Sequence, residues 1–318
     1  MAEFEFGPLA YGAANIGNLY RELSDDQSRA ILETAWSLGI RYFDTSPHYG
    51  LGLSERRLGA FLQTKPRDEY IVSTKVGRLI RPNPEGAGTL DLDHDFAVPA
   101  DHKREWDLSA SGIRTSLEES LDRLGLESVD ILYLHDPERH DLEQGLAESL
   151  PALAELRDAG TVKAIGIGSM VNDALRRGIE TGLLDLVMVA GRYTLADQSA
   201  MWEVLPAARE HGVGIVSAAV FNSGLLATDN PTGDSRFDYD TVPPELLERV
   251  SAIAQSCIDF GVSLPTAALQ FGLRDPIVRT IVVGASRPGQ LEENASRMAQ
   301  RVPNELWSGL VEAELIPA

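Results

Sequence analysis

The sequence predicts a closed (β/α)8 TIM barrel with long loops at its C-terminal face, built as one domain over residues 1–318. Three observations predict it. Short apolar runs alternate with amphipathic helical patterns along the whole chain, eight times over, and such runs read as strands of a parallel sheet covered on both faces. No change of composition marks a linker. The rival fold, an open doubly wound sheet, normally carries G-x-G-x-x-G after its first strand. Here Gly166-Ile167-Gly168 runs on into Met170 and Val171, and Gly212-Val213-Gly214 into Val216 and Ser217, so neither completes that fingerprint. Eight strand–helix units close most naturally into a barrel.

In order, Leu9-Ala10-Tyr11 forms the first strand. Ser24-Asp25-Asp26-Gln27 is a capping box that opens a helix running to Leu38. Ile40, Tyr42 and Phe43 approach Asp44 as a second strand, and a helix follows from Ser54 to Gln63. Ile71-Val72-Ser73-Thr74-Lys75 is the third strand. The stretch from Gly77 to Asp107, rich in proline and aspartate, reads as a long irregular loop with a function of its own. Ser109 starts a helix that ends at Gly125, and Val129–Leu134 runs into His135. The alternation then repeats through helix 142–159, strand 164–167, helix 172–181, strand 186–189, helix 199–210 and strand 214–217. A second long loop covers 220–244. Helices at 245–260 and after Pro265 lead to the last strand, Arg279–Val283, and to helices near 290–299 and from Asn304.

The chain is long enough to bury a large core. Its net charge of −20, scattered and not gathered in a tail, disfavours nucleic acid and anionic membranes as partners. The single cysteine, Cys257, fits a reducing compartment, and no apolar run reaches membrane-spanning length. The N-terminus, Met1-Ala2-Glu3-Phe4-Glu5, carries no signal pattern. A cytoplasmic enzyme acting on a small molecule is the expectation.

Barrel active sites lie at the C-terminal ends of strands. Asp44, Lys75 and His135 occupy those ends on strands two, three and four, with Tyr49 in the loop after strand two. Strands lie about 4.8 Å apart, so three consecutive ends fall within roughly 10 Å. Singly, each residue has an ordinary structural role; together they form a proton-transfer set. A phenol, with a pKa of about 10, gives up its proton reluctantly at neutral pH. An adjacent ammonium favours the phenolate, and a carboxylate anchors that ammonium. An imidazole can orient the reacting oxygen. The roles expected are Tyr49 as acid/base, Lys75 as its partner, Asp44 as anchor and His135 as orienter. His48 and Trp106 are expected to wall the substrate pocket. Asp91-Leu92-Asp93-His94-Asp95 resembles the start of a calcium loop, but Phe96 and His102 stand where glycine and glutamate are needed, so no metal is expected and the segment reads as a solvated acidic loop.

Asp44-Thr45, Tyr49-Gly50, Gly52 and Ser54-Glu55 resemble the D-T-x-x-x-Y-G-x-G-x-S-E signature of the aldo-keto reductase superfamily, and Ser73-Thr74-Lys75 and Tyr133-Leu134-His135 are similar to its lysine and histidine strands. The resemblance covers nearly the whole chain. It implies an NAD(P) cofactor bound across the strand ends. The segment from Val283 to Asn294, with Gly284, Ala285, Ser286, Arg287, Gln290, Glu293 and Asn294, is similar to the family's adenosine-binding segment. Phe221, Asn222, Ser223, Gly224 and Leu225 resemble the loop that crosses the pyrophosphate. Gly12 and Ser169 complete the implied cofactor set. Two positions depart: Gly168-Ser169 stands for the usual Ser-Asn pair, and Ala190 for the usual glutamine.

Gly191–Leu195, Val220–Gly224 and His135-Asp136-Pro137 resemble the group of D-threo-aldose 1-dehydrogenases, L-fucose dehydrogenases and pyridoxal 4-dehydrogenases. That group implies oxidation of a cyclic hemiacetal to a lactone with NAD. Gln290, where reductases of the family commonly carry arginine, also implies NAD in preference to NADP. An NADPH-dependent aldehyde or ketone reductase is the alternative enzyme, and a cofactor-binding redox-sensing subunit the non-enzymatic one.

Overall fold

The computed structural model describes residues 4–238 and 240–318. The first three residues of the N-terminal stretch read above, and one residue of the second long loop, lie outside them. Eight parallel strands close on one another: β1 (Leu9–Gly12), β2 (Tyr42–Asp44), β3 (Ile71–Val76), β4 (Ile131–His135), β5 (Ala164–Ser169), β6 (Leu186–Ala190), β7 (Gly214–Ala218) and β8 (Val278–Gly284). Their order around the barrel is their order in the chain, and β8 pairs back onto β1. The expected (β/α)8 architecture is the one observed.

Local chemistry sets the helix ends. Ser24 and Gln27 make the reciprocal capping box that starts the helix Asp25–Ser37. Ser109 accepts from Gly112 N to start Ala110–Leu124, and Gly125 ends it in the left-handed conformation. The expected continuous helix over 142–159 is interrupted. Leu142–Gln144 passes through a π-type turn, Gly145–Ser149, into Leu150–Asp158. Pro151 explains the interruption, since it has no N–H for the α ladder and its ring crowds the preceding turn.

The barrel interior is a small apolar cluster that includes Ala10, Tyr42, Ile131, Tyr133, Leu186, Met188 and Val282, with Phe4 and Phe6 packed against it. The larger core lies between strands and helices. Side chains alternate along a strand, so the residue two beyond an interior one also faces inward, one layer higher. Asp44 follows Tyr42 in this way, and His135 follows Tyr133. The barrel mouth therefore receives them by register.

The stretch from Gly77 to Asp107 is not the irregular loop expected. Its ends, Arg78–Pro82 and His102–Trp106, pair as an antiparallel ribbon. Its middle is pinned to the loop after β1, where Ala97 N donates to Asn18 O (3.0 Å) and Tyr20 N to Asp95 O (2.7 Å). Nor is the acidic segment simply solvated: Asp91 is buried and forms two bonds with Arg104, at 2.9 and 2.7 Å. The second long loop contains a 3-10 turn, Asn222–Gly224, and a short antiparallel bridge between Arg236–Phe237 and Asp240–Thr241. Among the described residues no single helix is long and apolar enough to cross a membrane.

Candidate active site

Lys75 Nζ donates to Asp44 Oδ2 (2.6 Å), to the Thr45 carbonyl (2.9 Å) and to the Tyr49 hydroxyl (3.1 Å). An ammonium has three protons, and all three are used. Asp44 and Lys75 are each 2 % exposed. The second oxygen of Asp44 accepts from Ser73 Oγ (2.7 Å), and Ser73 in turn meets the hydroxyl of Tyr42 (3.0 Å), which lies 3.3 Å from that of Tyr133. A hydrogen-bonded chain thus climbs from the barrel interior to Tyr49.

Tyr49 reaches this position because its loop approaches backbone to backbone. A Cβ on Gly50, whose φ is +62°, would meet the Gly17 carbonyl oxygen at 2.1 Å. The rest of the motif holds the loop in place. Thr45 Oγ1 lies 2.8 Å from Ser54 Oγ, Ser54 donates to Ala13 O (2.8 Å), and the buried Glu55 accepts from Thr74 (2.7 Å) and Arg123 (2.6 Å). Arg104 fastens the other side, donating to the His48 carbonyl at 3.2 and 2.7 Å.

The His135 ring faces Tyr49 edge to face at 6.0 Å between centroids, and His48 lies 5.6 Å from His135. His48 thus lies beside both rings. Trp106, the other expected wall residue, lies against Arg78 and His140. It stacks on His140 (5.3 Å) and carries the Arg78 guanidinium over its ring (4.2 Å).

Charge states follow from these surroundings. Burial pushes the Lys75 ammonium toward neutrality, but the charges of Asp44 and Tyr49 and their hydrogen bonds outweigh it, and its pKa is raised. Tyr49 departs from the sequence expectation. Burial raises its pKa; Lys75 lowers it and Asp44 raises it again, and the balance stays above the ordinary phenol value. In this site Tyr49 is a neutral phenol at pH 7. Burial, then Arg78, Lys75, His48 and Arg139, hold His135 well below its usual range, so the imidazole is uncharged. His48 is likewise held down, by burial first and then by Arg78 and Arg104.

The expected cofactor residues divide. Phe221, Asn222, Ser223, Gly224, Gly284, Ala285, Ser286 and Gln290 line one groove of about 360 Å³, together with Asn15, Tyr20, Met170 and Gly191. Asn222 fits a ligand there: its Nδ2 donates to Gly191 O (3.1 Å), and its Oδ1 is a buried acceptor without a partner. Gln290 is already engaged, accepting from Ser286 N (2.8 Å) and Oγ (3.3 Å). Gly12, Ser169, Leu225, Arg287, Glu293 and Asn294 lie outside the lining. Leu225 and Asn294 are buried, Glu293 pairs with Arg297 (3.2 Å), and Arg287 is exposed. Ser169 Oγ donates to Glu138 Oε1 (2.6 Å).

Sequence reasoning missed Ser46, Ser73, Arg78, Arg104, Asp136 and Glu138. Arg78 carried one usable signal: it lies three residues after Lys75, at the same barrel mouth. The Ser46, Ser73 and Arg104 contacts depend on chain crossings that no local pattern announces.

A buried ammonium shared by a carboxylate and a phenol, next to an uncharged imidazole, can move a proton on or off a carbonyl or alcohol oxygen. That is the work of an oxidoreductase using a hydride carrier. The chain belongs to the aldo/keto reductase family, whose pattern it matches over residues 8–314, and is an NAD(P)-dependent oxidoreductase of that family. It is 60% identical to D-threo-aldose 1-dehydrogenase of a Pseudomonas species, over 97% of this chain and 94% of that protein. It is 36% identical to pyridoxal 4-dehydrogenase of Microbacterium luteolum, again over 97% and 94%. It is 32% identical to L-galactose dehydrogenase of Arabidopsis thaliana, over 92% and 84%. Among solved structures, a glycerol dehydrogenase from Gluconobacter oxydans shares the fold, with a TM-score of 0.76 at 22% identity, covering 98% of this chain and 94% of that one.

Proposed function

We propose that this protein is an NAD-linked dehydrogenase that oxidises the anomeric C–OH of a cyclic hemiacetal, an aldose or pyridoxal, to a lactone. The single observation that carries the reading is Lys75, bonded at once to Asp44 and Tyr49 beside an uncharged His135. Similarity to enzymes named for aldoses, pyridoxal and L-galactose supports the substrate class.

In this reading NAD(P), when bound, supplies the hydride acceptor. Tyr49 takes the hydroxyl proton as hydride leaves the anomeric carbon. Lys75 stabilises the phenolate that precedes that transfer, and Asp44 keeps Lys75 charged and aimed. His135 donates to the same oxygen and sets its angle. Asn222, Ser223, Gly224, Gly284, Ala285 and Ser286 hold the dinucleotide along the groove, and the helix Pro288–Ala299 presents its N-terminal end nearby. Gln290 in place of a cation favours NAD. Two exposed arginines keep NADP in play: Arg287, and Arg21, which donates to Ser286 O at 2.6 Å. The lone buried Cys257 suits a reducing compartment such as the cytoplasm.

One observation favours a second reading, reduction of an aldehyde or ketone with NADPH: burial holds Tyr49 protonated, as a proton donor must be. A dehydrogenase screen with NAD and NADP against L-fucose, D-arabinose, L-galactose and pyridoxal, run beside the reverse reaction on simple aldehydes, tests both. Oxidation of a hemiacetal with NAD supports the proposal. Turnover restricted to aldehyde reduction with NADPH overturns it.

A further inference from the structure

The ring of His135 is gripped on its two edges by groups of opposite charge. On the Nδ1 edge stand Arg78 Nη1 at 2.9 Å and Ser46 Oγ at 3.0 Å. A guanidinium offers only N–H groups and keeps its charge, so the nitrogen it meets at hydrogen-bond distance carries no proton. Ser46 is compatible with this: its oxygen accepts from His48 N (3.1 Å), and its own proton can turn toward Nδ1. On the Nε2 edge the Asp136 carboxylate stands 3.6 Å away, which suits an N–H there. Arg78 also binds that carboxylate (2.9 Å), so one guanidinium spans both edges of the imidazole.

Arg78 cannot easily turn aside. It is 5 % exposed, lies over Trp106, which is itself stacked on His140, and its carbonyl oxygen accepts from Ser116 (3.4 Å).

We propose that Arg78 is a positioning residue that fixes His135 as the neutral Nε2–H tautomer, so that the imidazole can only donate to the reacting oxygen. The groups facing the ring are Lys75 on β3, Arg78 on the ribbon that follows it, Ser46, His48 and Tyr49 in the loop after β2, and Asp136 and Arg139 after β4. Three of these are fixed cations and one is a carboxylate, a balance that opposes an imidazolium. His135 then exchanges no proton during turnover, and Tyr49 is left as the one acid/base. The tautomer can be read without substrate or cofactor, and the inference rests on the oxidoreductase reading only for what Nε2 faces.

The test is ¹⁵N NMR of histidine-labelled protein, with His135 identified among the six histidines by its loss in His135→Asn. In the wild type we expect Nδ1 bare, Nε2 protonated, and no titration from about pH 5.5 to about pH 9, although a free histidine titrates near 6.5. In Arg78→Met, where burial still opposes the charged ring, the Nδ1 and Nε2 signals should move toward a mixture of the two tautomers, the ring should titrate at higher pH than in the wild type, and the pH profile of kcat/KM should gain an inflection where it does. Arg78→Lys, which restores a cation and a donor, should remove it. A wild-type ring that titrates in this range, or that carries its proton on Nδ1, overturns the proposal even if Arg78→Met does not fold. So does a folded Arg78→Met whose His135 signals match the wild type.

Discussion

Replacing Tyr49 by Phe separates chemistry from folding unusually well in this site. The change removes one hydroxyl, and with it the 3.1 Å bond from Lys75, while the bonds from Lys75 to Asp44 (2.6 Å) and Thr45 O (2.9 Å) remain. The ring keeps its neighbours Phe96 and His48. The folding cost is that of one hydrogen bond, about 0.5–1.5 kcal/mol, which lowers Tm by only a few degrees in a protein of this size. The chemical cost is far larger, because no other group at the reacting oxygen can take up a proton: Lys75 is fully protonated and fully bonded. General acid–base catalysis contributes on the order of 10²–10⁴-fold, or about 2.7–5.5 kcal/mol of barrier. We therefore expect kcat to fall by about that factor while Kd for the dinucleotide stays within about threefold of wild type. The assay is single-turnover appearance of reduced nicotinamide with a C1-deuterated sugar, so that an isotope effect marks hydride transfer as limiting. A Phe variant with wild-type turnover under that condition would refute the assignment of Tyr49.

Three further predictions follow from the same contacts. Lys75→Met keeps much of the stem and removes the charge that lowers the Tyr49 pKa, so the phenol should titrate higher still and the pH at which oxidation rises should move upward; an unchanged pH profile at normal activity would show that the two groups are uncoupled. Trp106→Ala removes the ring beneath Arg78, so substrate KM should rise or preference among sugars and pyridoxal should shift, with NAD affinity near wild type; equal losses for every substrate with a lower Tm would assign Trp106 to packing alone. Titration of both dinucleotides should show NAD binding roughly 10–150-fold tighter, the worth of one charge-assisted contact to the extra phosphate of NADP; Gln290→Arg should improve NADP selectively, with part of the gain offset by the two lost contacts to Ser286.

The barrel was legible because each strand is a short apolar run and several helix starts carry a readable cap, as at Ser24 and Ser109. The Asp44, Tyr49, Lys75 and His135 set was legible for a related reason: strand ends point to one mouth, so polar residues that close apolar runs converge. What stayed hidden depends on long-range contact. Arg78–Pro82 and His102–Trp106 alternate too weakly to announce a ribbon, and their pairing is set by the docking of the segment between them onto the loop after β1. The ribbon carries Arg78 back to His135 and Arg104 to His48, so two of the residues missed are those it delivers. The net direction of the Tyr49 pKa shift was hidden for a different reason. The ammonium beside it is visible in the sequence, but the burial that outweighs it is a property of the closed site.

The central claim, that hydride leaves the anomeric carbon of a hemiacetal while Tyr49 takes the proton, is tested most directly by the fate of the label. The purified protein would be incubated with NAD and an aldose deuterated at C1, and both products examined by mass spectrometry. The account predicts one deuterium on the reduced nicotinamide, an unlabelled lactone, and formation of both products slowed by about 10²–10⁴-fold in the Tyr49→Phe variant. Deuterium retained in the sugar product, or transfer that proceeds unchanged without the Tyr49 hydroxyl, would contradict it.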